Sequence, residues 1–157
     1  MADDGKIKPF NFKPTCQVPG EGAVFFLVSK ERNEGAFCRI DNICFNQQKK
    51  SNKNADLNII DANGTLLDES MYLSAVSPDI PTTAYAPLFG SMLIVSAFNI
   101  AAGALMLKNQ VLYPNPVTDN PHGINLVQNQ ENSNISDISC ISYDCDTESA
   151  VIHIKRI

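Results

Sequence analysis

The chain has no tryptophan, only two histidines, and charged side chains at just 18% of its positions, against roughly a quarter in an average soluble domain. Each shortage excludes something. Without tryptophan and with four tyrosines, a sugar-stacking platform would be thin. With His122 and His153 as the only imidazoles, few catalytic or zinc clusters can be built. No nucleophile elbow, Walker loop or paired-histidine zinc motif occurs. A catalytic pair of His with a Cys or Ser would need the fold to bring them together, and His122, His153 and Cys145 are the first candidates for it. The opening Met1-Ala2-Asp3-Asp4-Gly5 has no basic n-region and no apolar h-region follows, so no signal peptide is read and the chain is expected to be cytoplasmic at synthesis.

The five cysteines, Cys16, Cys38, Cys44, Cys140 and Cys145, are an odd number, and a reducing compartment keeps them as thiols. Their spacings match no common zinc pattern. On one regular strand Cys38 and Cys44 would face the same side, about 20 Å apart at 3.3 Å per residue, too far to bridge. All five read as small buried hydrophobes.

Asparagine fills the polar side of the composition, with 16 copies in 157 residues. The charges that remain are unevenly placed. Residues 1–53 hold nine bases and six acids, a balance of +3. Residues 54–154 hold eleven acids and one base, Lys108, a balance of −10. A nucleic-acid binder would show a basic stripe over its domain, so that class is excluded. The two regions neutralise one another within the fold or pair between copies.

One stretch organises the rest. From Ile80 to Leu107, 28 residues run without an Asp, Glu, Lys, Arg or His. That length would cross a bilayer, but Pro81, Pro87, Ser91, Ser96 and Asn99 interrupt it. A lone Asn in a span is costly, and no basic loop flanks either end. The stretch therefore reads as a buried β-hairpin, with strands over 90–99 and 104–113 and Gly103 supplying positive φ at the turn. A helix from Leu88 to Leu107 is the competing reading, because Ala, Leu and Met favour helices.

The remaining segments read as short strands. An extended N-terminal arm covers residues 1–20, with Phe10, Phe12 and Lys13 placed to dock it on an apolar surface. The segment Gly22 to Ser29 is apolar on both faces and reads as a central strand. Further strands are predicted over 36–46, 56–61, 65–67, 71–76, 124–127, 138–143 and 150–157. The tip Asp61-Ala62-Asn63-Gly64 is a hairpin signal, and the lysines of 47–54 lie in a solvated loop. The expected fold is all-β: a single-domain antiparallel β-sandwich or barrel, jelly-roll-like, of about 8–10 strands over residues 21–157.

Carboxylates supply the one metal-like grouping. Asp144, Asp146 and Glu148 offer oxygens at alternating positions that would suit Ca²⁺, without the glycine and spacing of an EF-hand; Asp61, Asp68 and Glu69 are similar in kind. No other cofactor is implied. Tyr113-Pro114-Asn115-Pro116 followed by Asn120-Pro121 resembles a motif of bacterial inclusion-body proteins of the PixA/AidA type over about a dozen residues; no site residue carries over from it. Low charge, uneven charge and the proline-bounded arm favour a non-enzymatic self-assembling structural protein, a homo-oligomer joined through its arm. The alternative is a β-sandwich module that binds a glycan or small ligand.

Overall fold

The computed structural model describes residues 21–45, 54–62, 70–90, 94–116, 120, 122–144 and 148–157. The elements run β1 (Arg39–Phe45), β2 (Leu57–Ile60), α1 (Ser70–Ala75), β3 (Thr82–Ala84), α2 (Ala86–Phe89), α3 (Val95–Asn109), β4 (Val111–Leu112), β5 (Glu131–Asn132), β6 (Asp137–Asp144) and β7 (Glu148–Lys155). Five strands form a mixed sheet in the order β1-β7-β6-β2-β3, and β4 pairs with β5 apart from it.

The expectation of an all-β sandwich or barrel is overturned. β2 runs parallel to both β3 and β6. Parallel neighbours cannot be joined by tight turns and need long crossovers, which here carry helices. The fold is α/β-like, a mixed sheet with helices against it. β2 reads Leu-Asn-Ile-Ile and is buried at every position, as expected of a parallel strand covered on both faces.

The two faces are distinct. Leu57 and Ile59 of β2, Ile138 and Cys140 of β6 and Ile154 of β7 pack with Met106 and Leu107 of α3. Ile60, Ile141 and Val151 point the other way and pack with Tyr72 and Ala75 of α1, and with Val76, Ile124 and Leu126. Successive side chains alternate between these clusters, as the pleat requires.

The uncharged stretch is not a hairpin. It divides into β3, the short α2 and the 15-residue α3. Gly103, expected at a turn with positive φ, sits inside α3, where the helix touches the sheet. A methyl group there would lie 2.8 Å from Ile154 Cδ1 and 3.2 Å from Ile59 Cδ1. Leucine, alanine and methionine favour the helical state, and burial along 95, 99, 103 and 106–107 follows a helical period. Gln110 ends the helix in the left-handed region, its N–H donating to Met106 O at 2.7 Å and its side-chain amide to Leu107 O at 2.7 Å. Among the described residues, no helix is long and apolar enough to cross a membrane.

Three further expectations change. Residues 71–76, read as a strand, form α1 with the turn that follows it; Tyr72, Ala75 and Val76 are its buried positions, a spacing of three and four that suits a helix. Residues 124–127 make only an isolated bridge, Leu126 to Thr82. Residues 22–29, expected at the centre of the sheet, pair with no strand among the described residues and are mostly exposed. By contrast, β1, β2, β6 and β7 lie where strands were expected, and β7 pairs on both sides, with β6 and β1. The expected strand 65–67 lies outside the described residues.

A register shift between Ile40 and Asn42 corrects the cysteine geometry. The extra residue inverts the alternation, so Cys38 packs on the α3 side and Cys44 on the α1 side.

The helical assignment of Gly103 has a direct consequence. Gly103→Val should destabilise the protein by about 2–4 kcal/mol, since its side chain must enter space held by Ile59 and Ile154. Thermal or urea unfolding followed by circular dichroism measures this; an unchanged midpoint would contradict the close contact.

Candidate site at the carboxyl rim of the sheet

Because β2, β3 and β6 are parallel, their carboxyl ends share one rim. Ligands of open α/β sheets bind outside such ends. Polar side chains converge there from four elements. Asp61 follows β2 directly, Ser142 and Tyr143 lie near the end of β6, Tyr72 comes from α1, and Ser96 and Asn99 come from the first turns of α3.

Asp61 is the centre of this group and is almost wholly buried. The Tyr72 hydroxyl donates a short hydrogen bond to Asp61 Oδ1. The Tyr143 backbone N–H donates to Oδ2 at 3.1 Å. The Ala62 N–H donates to the Tyr72 hydroxyl oxygen at 3.1 Å, and Ala62 takes a positive φ of 40°. The rings of Tyr72 and Tyr143 meet edge to face at 5.3 Å, and the Tyr143 hydroxyl donates to Met71 O at 3.2 Å. Two tyrosines thus tie α1 to the rim.

Burial decides the charge of this centre. Loss of solvent raises the Asp61 carboxyl from its ordinary 3.8 to about 6, against hydrogen bonds from Tyr72, Tyr143 and Ala62 that favour the anion. Burial first, and the Asp61 charge second, push the Tyr72 hydroxyl well above 10, so it stays a donor. The pair can hold or release one proton in the mildly acidic range.

On the α3 side, the Asn99 amide nitrogen donates to Ile60 O at 3.2 Å. Its carbonyl oxygen, buried, has no partner among the described residues, so it can accept from a ligand. Ser142 and Ser96 hydroxyls meet at 2.8 Å. A second polar line crosses mid-sheet. Asn42, His153, Ser139, Asn58 and Thr82 share one register row; Ser139 Oγ lies 3.0 Å from His153 Nδ1, and both amide atoms of Asn58 are buried without a partner among the described residues.

Of the residues singled out from sequence, Asp61 lies at the centre of this rim. His122 is exposed in a turn and His153 lies mid-sheet beside Ser139, while Cys145, Asp68 and Glu69 lie outside the described residues. Asp144 and Glu148 are register partners at the β6–β7 turn, while Asp146 lies outside the described residues, as do Phe10, Phe12 and Lys13 of the arm. Among the described residues, no three His, Cys, Asp or Glu side chains gather to hold a metal. Burial pushes the Cys38 thiol up, and burial with Cys38 nearby raises Cys140 to about 12. Tyr72, Tyr143 and Asn99 were missed. Asn99 was the legible signal, as the one amide inside the uncharged run.

A raised carboxyl carries a defined pH signature. The folded chain binds the Asp61 proton more tightly than the unfolded chain. Its contribution is therefore full below pH 4 and lost as pH rises through about 6. Relative to Asp61→Asn, the wild type should gain roughly 2–3 kcal/mol of stability between pH 7 and pH 4. Paired thermal melts across that range check this; a constant difference between the two proteins would show that Asp61 titrates normally.

No protein family and no curated protein matches the chain. Solved structures do match. The ishigamide ketosynthase/chain length factor superposes over 77% of this chain and 38% of its own, with a TM-score of 0.63 and 14% identity. A ketosynthase from module 1 of the bacillaene synthase of Bacillus amyloliquefaciens FZB42 covers 77% of this chain and 30% of its own, at TM-score 0.62 and 10% identity. A type II polyketide acyl-carrier protein complex with its hexaketide-bound ketosynthase matches 66% of this chain and 28% of its own, at TM-score 0.54 and 15% identity. The chain spans less than two fifths of the length of these structures. At such identities the likeness is one of fold. It replaces the assembly and lectin-like readings with a fold used by ketosynthase domains.

Proposed function

We propose that the chain is a ketosynthase-like module that binds an acyl chain presented by a carrier protein. The observation that carries this reading is the superposition of 77% of the chain on ketosynthase structures. A related ketosynthase structure holds an acyl-carrier protein and a hexaketide. The rim supports the reading chemically. Asn99 offers a buried acceptor, Ser96 and Ser142 offer hydroxyls, and the Asp61–Tyr72 pair offers a proton without a fixed charge at mildly acidic pH. Below about pH 6, where Asp61 holds its proton, the hydrogen-bonding rim suits the carbonyls and hydroxyls of a polyketide-type chain.

Binding rather than nucleophilic attack is the role assigned to the rim and to Cys38 and Cys140. Thioester attack needs a thiolate, and burial holds Cys38 and Cys140 away from that form. The experiment uses an acyl-carrier protein in its unloaded and hexanoyl-loaded forms. Calorimetry should show the loaded form binding at least tenfold more tightly, and Asn99→Leu should abolish that preference. Equal or absent binding of the two forms would overturn the proposal. Intact-mass spectrometry after incubation distinguishes the enzymatic outcome, since an acyl adduct on the chain would make it a condensing enzyme.

A further inference from the structure

The Asn99 amide is committed on one side only. Its nitrogen donates to Ile60 O at 3.2 Å, which fixes the orientation of the carboxamide and turns Oδ1 the other way. Asn99 is 1% exposed, and this oxygen has no hydrogen-bond partner among the described residues. A carboxamide oxygen accepts and cannot donate. Any group that meets it must therefore bring a hydrogen, and native interiors rarely leave such an atom unmet.

The complementary group lies one turn earlier. Ser96 is three residues before Asn99 on α3, a spacing that makes the two neighbours on the helix surface. The Ser96 hydroxyl meets that of Ser142, from β6, at 2.8 Å. Two hydroxyls carry two hydrogens, and the contact between them uses one. The other is left for a ligand. Ser96 and Ser142 are half-buried, so this pair is the open side of the arrangement. An acceptor beside a donor matches a hydroxyl, which gives one hydrogen and accepts another. A ketone oxygen could take the serine hydrogen but would set its lone pairs against Asn99 Oδ1. A methylene would leave both groups unmet.

We propose that Asn99 and the Ser96–Ser142 pair make the rim selective for an acyl chain bearing a hydroxyl, over the oxo and the fully reduced chain. This rests on the acyl-binding reading above and names the substrate class within it. A site built to hydrogen-bond a ligand hydroxyl discriminates strongly, because its buried polar groups go unpaired with the wrong chain.

The test is calorimetry on the full chain with one acyl-carrier protein, unloaded and then loaded with hexanoyl, β-hydroxyhexanoyl, δ-hydroxyhexanoyl, β-oxohexanoyl or δ-oxohexanoyl groups. One of the hydroxylated forms should bind at least tenfold more tightly than its oxo counterpart and than the hexanoyl form. Asn99→Leu should bind that form no better than the hexanoyl form. Should this variant fail to fold, the wild-type series decides alone. Loaded forms that all bind better than the unloaded carrier, yet equally to one another, would overturn the selectivity while the acyl-binding reading stands. A preference for the oxo or hexanoyl chain, or a hydroxyl preference that survives Asn99→Leu, would overturn it as well. Absence of binding by every loaded form would overturn both.

Discussion

The fold depends on how closely α3 approaches the sheet. Gly103 has no side chain, and the Cδ1 atoms of Ile59 and Ile154 occupy the space where one would be. Dense packing of this kind leaves little room to slide, because interiors are filled to crystal-like density. It also fixes the helix axially. One turn toward its N-terminus, Asn99 comes to the Ile60 carbonyl, and Ser96 comes to Ser142. The polar rim is therefore a by-product of an apolar contact. A looser helix would separate Asn99 from the end of β2.

The rim itself is a conflict between burial and hydrogen bonding. Asp61 accepts from Tyr72 and Tyr143, which favours the carboxylate, yet loss of solvent outweighs them and raises its pKa. A carboxyl in that state is held by structure and charged only as pH rises. Tyr72, raised further by the same burial, remains its donor. Such pairs of groups with displaced protonation are what functional sites use. Here the pair stands at the carboxyl ends of parallel strands, where ligands of this architecture bind.

Only part of this was legible residue by residue. β6 and β7 are long, rich in β-branched residues and flank an acidic turn, so their pattern identified them. β2 was also found, as a short apolar segment bounded by Asp56 and Asp61. α3 was hidden for a physical reason. Its less buried positions include Ala97, Ala101 and Leu105, so no polar stripe marked a helical period and a buried strand was an equal description. α1 failed for the opposite reason, being too short for periodicity to outweigh its resemblance to a strand. The bulge between Ile40 and Asn42, which puts Cys38 and Cys44 on opposite faces, leaves no trace in composition.

Sequence by itself determined the local terms: which segments are apolar enough to be buried, the end of the uncharged run near Lys108, and the charge asymmetry between the leading third and the body. It also marked Asn99 as an anomaly inside that run. Tertiary structure alone decided that β2 lies between two parallel neighbours, that Gly103 is a contact point instead of a turn, and that Asp61 meets Tyr72 and Tyr143. These choices are set by packing between residues distant along the chain. Asp61 and Tyr143 are 82 positions apart, and no local propensity spans that distance.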